Sequence, residues 1–189
     1  MSSHHIVREK QEPALIALDL NGFPEELLGQ LLEWSPTVMA TPLVAEQINT
    51  YGIKIDIIIA DAIEESLQSD VKLIAQDNDS PLVAALKYLI ANGYTAVNIV
   101  ADELALHDLL YYADKINLVI FSKGQKIYPV VAGFSKWKPA GEYIRILSPG
   151  QGLQVSGLKQ QEEGVFITTA DGFITLQFSA PFIFIAEDI

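Results

Sequence analysis

The chain has 189 residues, half of them apolar and about a fifth charged, with a formal net charge of −12 and no cysteine. That length supports one sizeable core or two small ones, and its apolar runs, such as Ile57–Ala60 and Leu118–Phe121, fall far short of the roughly 20 residues that span a bilayer. An acidic chain whose only arginines are Arg8 and Arg145 has no basic stripe to displace counterions from phosphates, which argues against DNA or RNA as a partner.

The first twelve residues are polar and lack the apolar stretch and cleavage site of a secretory leader. Together with the absence of disulfide chemistry, this gives cytoplasmic residence as the expectation. From Pro13 to Val131, short β-rich runs alternate with helical segments, the order of βαβ units and a largely parallel, Rossmann-like sheet with flanking helices. The strands fall at Leu15–Leu20, Thr37–Ala40, Ile55–Ala60, Val71–Ala75, Ala96–Ala101 and Asn117–Phe121, with a seventh candidate at Lys126–Val131. Helices fit at Pro24–Trp34, Pro42–Tyr51, Pro81–Asn92 and Glu103–Asp114. Three of them open on proline, whose missing N–H costs nothing in a first helical turn.

Helical periodicity ends near Gly133, and Phe134–Gly141 reads as a linker. Beyond it, strands are expected at Tyr143–Leu147, Leu153–Leu158, Gly164–Thr168, Phe173–Phe178 and Phe182–Ala186, separated by Pro-Gly, Glu-Glu-Gly and Asp-Gly turns. The expectation is an α/β domain over 1–133 and a small all-β sandwich or barrel over 134–189. The second is short for an independent domain. With the apolar stretch Phe182–Ile185 it predicts packing against a second chain, hence a homodimer.

Open α/β sheets bind ligands beyond the carboxyl ends of their strands. Asp61 stands at such an end, where an acid can hold Mg²⁺ or simply form a turn. Asp77 and Asp79 follow the next strand on the same edge, although Asp79 or Ser80 before Pro81 also serves as a helix N-cap. Asp102 and Glu103 follow a third strand, with His107 one turn further on, facing either the site or the packing around Glu103 and Asp108. Tyr111, Tyr112, Trp137 and Phe182–Phe184 offer faces for a flat ligand or for the core. No nucleophile triad, HExxH, GxSxG or P-loop spacing occurs.

Ile53–Asp61, Asp77-Asn78-Asp79-Ser80 and Ala85–Leu89, in that order, resemble the thiamine pyrophosphokinase family. Leu20-Asn21-Gly22 is similar to that family's first strand end, and Val155-Ser156-Gly157-Leu158-Lys159 to its V-x-GLK segment. The resemblance implies an α/β catalytic domain, a thiamine-binding β domain and a homodimer that transfers pyrophosphate from ATP to thiamine with Mg²⁺. It further implies Asp61, Asp77 and Asp79 as the catalytic acids, Asp61 as the metal ligand, and His107 and Lys159 as cofactor contacts.

The sequence departs from the family at several of these places. Pro42-Leu43-Val44 stands for D-G-G, Ile63 for the second acid of G-D-x-D-S, Ser80-Pro81-Leu82 for a Thr-Asp, and no arginine lies near Asp102–His107. Phosphoryl-type transfer is positioning plus charge neutralisation. The expectation is therefore a weakly active or inactive relative that keeps the dimer and a cleft for a small ligand such as thiamine or a nucleotide. The alternatives are a working enzyme with a rebuilt Mg-ATP site, or a structural, partner-binding dimer.

Overall fold

Short strands with no polar alternation open the chain. In the computed structural model, which describes residues 12–61, 71–148 and 151–189, β1 (Ala14–Ala17), β2 (Val38–Ala40) and β3 (Ile57–Ile59) are buried along their whole lengths. Such strands need cover on both faces, as in parallel sheets. They pair in parallel, with β4 (Lys72–Ile74) outside β3 and β5 (Ala96–Val100) on the other side of β1, in the order β5-β1-β2-β3-β4.

Helices α1 (Glu25–Leu32), α2 (Pro42–Thr50) and α3 (Pro81–Ala91) connect them. Proline opens α2 and α3, and the Ser80 hydroxyl caps α3 by accepting from the Val83 N–H at 3.3 Å. On α2, Val44, Ala45 and Ile48 pack on Ala17, Val38, Ala40 and Ile58. Full burial of a residue such as Ile48 stabilises by about 2 kcal/mol.

Two expectations fail in this region. The helix expected at Glu103–Asp114 is a single turn, α4 (Leu106–Leu109), followed by successive turns to Lys115. Ala105 at its N-cap has no side-chain oxygen to satisfy the first N–H groups. The first strand ends at Ala17 rather than Leu20, because the N–H groups of Leu18 and Asp19 both converge on the Val100 carbonyl, at 2.9 and 3.4 Å.

The chain divides into two compact units, the first ending at Leu118 and the second beginning at Val119. The change of unit falls inside β6 (Asn117–Ser122), not at Gly133. The reason is pairing: β7 (Gln125–Val130), expected with the α/β domain, runs antiparallel to β6 and to β14 (Ile183–Asp188). Every strand pair within the second unit is antiparallel. One sheet continues β14-β9-β12-β11 through β9 (Tyr143–Ile146), β12 (Val165–Thr168) and β11 (Leu158–Glu162). The other has the order β10-β13-β8, from β10 (Gln154–Ser156), β13 (Gly172–Gln177) and β8 (Phe134–Lys138).

The segment expected as a linker is thus the strand β8. Residues from both sheets, among them Val130, Ile144, Ile185, Ile174 and Leu176, share one core. The strand expected at Leu153–Leu158 breaks at Gly157, where the chain leaves the three-stranded sheet for the other. Gly157 has φ +74°, and a Cβ there would come within 2.9 Å of the Phe173 carbonyl oxygen, so only glycine makes this corner. Ile183, Phe184 and Ile185 are fully buried in the chain and supply no exposed patch for a second chain.

Candidate functional site

Because β1 to β5 run parallel, their carboxyl ends share one edge, and the acids of interest follow them. Asp61, just past β3, accepts through Oδ1 from the backbone N–H groups of Gln76 (2.8 Å) and Asp77 (3.1 Å). The Gln76 side chain returns the contact by donating Nε2–H to the Ile59 carbonyl at 3.3 Å. These bonds stitch the end of β3 to the loop after β4. Asp77 takes φ +52°, a left-handed conformation that aspartate tolerates better than most residues. The Asp79 N–H closes the turn on the Gln76 carbonyl at 2.9 Å.

The Asp79 carboxylate pairs with Lys87 Nζ at 2.6 Å. Its hydrogen bond to Asp79 holds Lys87 above the ordinary lysine pKa. Among the described residues no three His, Asp or Glu side chains converge to hold a metal. Asp77 and Asp79 share the loop after β4 and Asp61 is bonded to it, but the three do not form such a set.

His107 is exposed and pairs through Nε2 with Asp108 Oδ1 at 2.7 Å. Lys159 belongs to the second unit, exposed on β11 opposite Ile167. Ile63 lies outside the described residues. Tyr112 and Phe184 are core residues, whereas Trp137 and Phe173 face outward, directly opposite one another on β8 and β13.

Sequence reasoning missed three features. The strand order reverses between β1 and β5, the switch point at which open α/β sheets place ligands. Asp19 stands there after β1, accepting through Oδ1 from the Asn21 N–H at 2.8 Å. Beside that loop lies a cavity of about 460 Å³ lined by Leu20, Asn21, Gly22, Glu46, Gln47 and Tyr51. In the second unit a cavity of about 510 Å³ has apolar walls at Ile146, Leu153, Val155 and Phe166, with Ser148, Gln160 and Glu163 as its polar side chains.

The third is a buried charge cluster. Glu187, only 5 % exposed, accepts from Tyr128 Oη (2.6 Å) and from Lys136 Nζ (2.8 Å to each oxygen), with Lys138 Nζ at 3.1 Å. Burial alone would push the Glu187 carboxyl up, but these donors outweigh it and hold it below the usual range. Burial, reinforced by the bond to Glu187, pushes the Tyr128 hydroxyl far up. Spacing along the sequence cannot bring residues 128, 136 and 187 together; the pairing of β7 with β14 in one sheet, and the contact of β8 from the other sheet with them, do.

No family model and no curated protein matches the sequence. Solved structures do. A thiamine pyrophosphokinase from Geobacillus thermodenitrificans superposes with a TM-score of 0.67 at 11 % identity, covering 93 % of this chain and 97 % of that one. The enzyme from Bacillus subtilis gives 0.60 at 13 % identity, covering 92 % and 98 %, and that from Candida albicans 0.63 at 12 %, covering 94 % and 90 %. The chain has the thiamine pyrophosphokinase fold. Both units fall within the match, so the thiamine pyrophosphokinase fold accounts for the parallel sheet with its helices and for the antiparallel β region after it.

Proposed function

We propose that this chain is a diverged relative of the thiamine pyrophosphokinases that has lost most or all of the transfer chemistry and keeps the fold to bind a small ligand. The observation that carries this reading is how the strand-end acids are used. Mg²⁺ needs several free oxygens in near-octahedral array. Here one oxygen of Asp61 is taken by two backbone N–H groups, and one of Asp79 by a lysine. Among the described residues no three acids converge on one point either, so those residues do not fit Mg-ATP.

The ligand-binding half of the reading is supported by the second-unit cavity, whose mixed apolar and polar lining suits a small partly polar molecule. On this reading the α/β and β regions correspond to the family's catalytic and thiamine-binding domains, and the two sheets around one core make the second a sandwich. Asp61, Asp77, Asp79, His107 and Lys159 mark positions where catalytic and cofactor contacts once lay. Residence in the cytoplasm belongs to the same proposal, in keeping with the lack, among described residues, of any helix long and apolar enough to cross a membrane. So does a homodimer, supported by the outward aromatic pair Trp137 and Phe173.

A steady-state assay with ATP, Mg²⁺ and thiamine should show turnover more than tenfold below the roughly 1–100 s⁻¹ of kinases. Turnover inside that range would establish a rebuilt active site instead. Calorimetry should detect thiamine or nucleotide binding; heat from neither would leave a structural dimer as the better account. Light scattering should give twice the chain mass at micromolar concentration, and a monomer there would remove the dimer from the proposal.

A further inference from the structure

We propose that Lys136 and Lys138, aimed inward from the edge strand β8 and fastened to Glu187, guard that edge against pairing with a strand from a second copy of this chain. The inference does not depend on how the strand-end acids or the cavities are read.

β8 ends the three-stranded sheet β10-β13-β8, and an edge strand offers a row of backbone N–H and C=O groups to any passing chain. The other sheet edges among the described strands of this unit are closed by different means. β10 has only three residues and stops at the Gly157 corner. β11, the outer strand of the other sheet, carries an irregularity between Gln160 and Glu162, and such bulges disrupt further pairing. β8 has neither device. It pairs with β13 in unbroken register over five residues and carries Phe134 and Trp137, residue types that favour strands. What sets it apart is its inward positions. The pleat puts residues 134, 136 and 138 on one face; Phe134 packs on the shared core, and beyond it the two lysines take Glu187. Apolar side chains of similar volume often serve such a place as well or better, so stability alone does not account for the lysines. Inward charge on an edge strand has a second effect. The Lys136 side chain keeps 37 % of its exposure, against 13 % for Lys138. A strand added beside β8, about 4.8 Å away, would lay its own inward side chains over Lys136 and strip the water that remains. A desolvated charge costs far more than one backbone hydrogen bond returns. The outward face, with Trp137 and Phe173, is left open by this device.

The test compares the full-length wild type with three variants at equal concentration, following association by thioflavin T fluorescence and sedimentation, and folding by circular dichroism. The apolar variant Tyr128→Phe/Lys136→Met/Lys138→Met/Glu187→Leu should remain folded and associate at least about tenfold faster than wild type, a factor that a modest desolvation cost supplies. Hydrogen exchange in the associated material should show new protection at the β8 N–H groups. Lys136→Met, which leaves Lys138 and Tyr128 to answer Glu187, should associate to a smaller extent. Glu187→Gln lowers stability but keeps both ammonium groups, and it should stay as dispersed as wild type. Three results overturn the proposal. One is no added association from a folded apolar variant, or from Lys136→Met where the apolar variant fails to fold. Another is association without new protection in β8. The third is association of Glu187→Gln as fast as that of the apolar variant, which would assign the effect to lost stability and not to the edge.

Discussion

Two charged clusters in this chain invite comparison, one at the carboxyl ends of β3 and β4 and one among β7, β8 and β14. In the first, Asp61, Asp77 and Asp79 sit at least partly in solvent, and the partners they have are backbone N–H groups and one exposed lysine. In the second, a single carboxylate is buried beneath two ammonium groups and a phenol. Chemistry was expected at the first, yet the larger electrostatic effects belong to the second. Acids at strand ends can be turned to loop structure at little cost, but a buried carboxylate is tolerable only when its charge is answered completely.

Breaking the second cluster should have the largest effect. Glu187→Ala leaves Lys136 and Lys138 without their shared acceptor, and removing one partner of a buried pair typically destabilises by about 3 kcal/mol. The denaturation midpoint in urea should fall accordingly, and a change below about 0.5 kcal/mol would show the cluster to be dispensable.

The same groups predict a two-sided pH dependence. A lowered Glu187 pKa means that its stabilisation is present above its ordinary value of 4.5 and lost as pH falls through the lower folded value. The raised Tyr128 pKa acts at the other end, since above its ordinary value of 10.0 the unfolded chain ionises while the folded one resists. Urea midpoints should therefore decline below pH 4.5 and above pH 10.0. The acid limb should shrink in Glu187→Gln and the alkaline limb in Tyr128→Phe; limbs unchanged in both variants would assign the dependence to other groups.

At the strand ends the effects should be smaller. Asp61→Ala strands two partly solvated N–H groups and should cost about 1 kcal/mol, seen in urea and in faster hydrogen exchange at Gln76 and Asp77. Lys87→Ala should change stability by less than about 0.5 kcal/mol. A Lys87 effect larger than that of Asp61 would reverse the ranking and make the ion pair the principal support of this loop.

The α/β half of the fold was legible because its signals are local. Unbroken apolar runs such as Ile57–Ile59 have one reading in a parallel sheet, and Pro42 and Pro81 each mark a helix start. The Ser80 cap was likewise readable from spacing. Phe134–Lys138 was not, because its inward positions hold lysines whose counterion, Glu187, comes some fifty residues later. The break at Gly157 was hidden by apolar residues on both sides that continue a strand pattern across a change of sheet. At the candidate site the acids could be located but not their partners. Whether Asp61 binds an ion or a backbone N–H depends on the conformation of the loop after β4, which no residue type dictates alone.

The corner at Gly157 bears on how such chains are recognised. Within Val155-Ser156-Gly157-Leu158-Lys159, the glycine is enforced by its positive φ and by the Phe173 carbonyl, which lies 2.9 Å from where a Cβ would stand. The packing of the two sheets alone demands it, whatever the ligand. Part of this segment therefore reports architecture, and its presence carries no information about whether thiamine is bound.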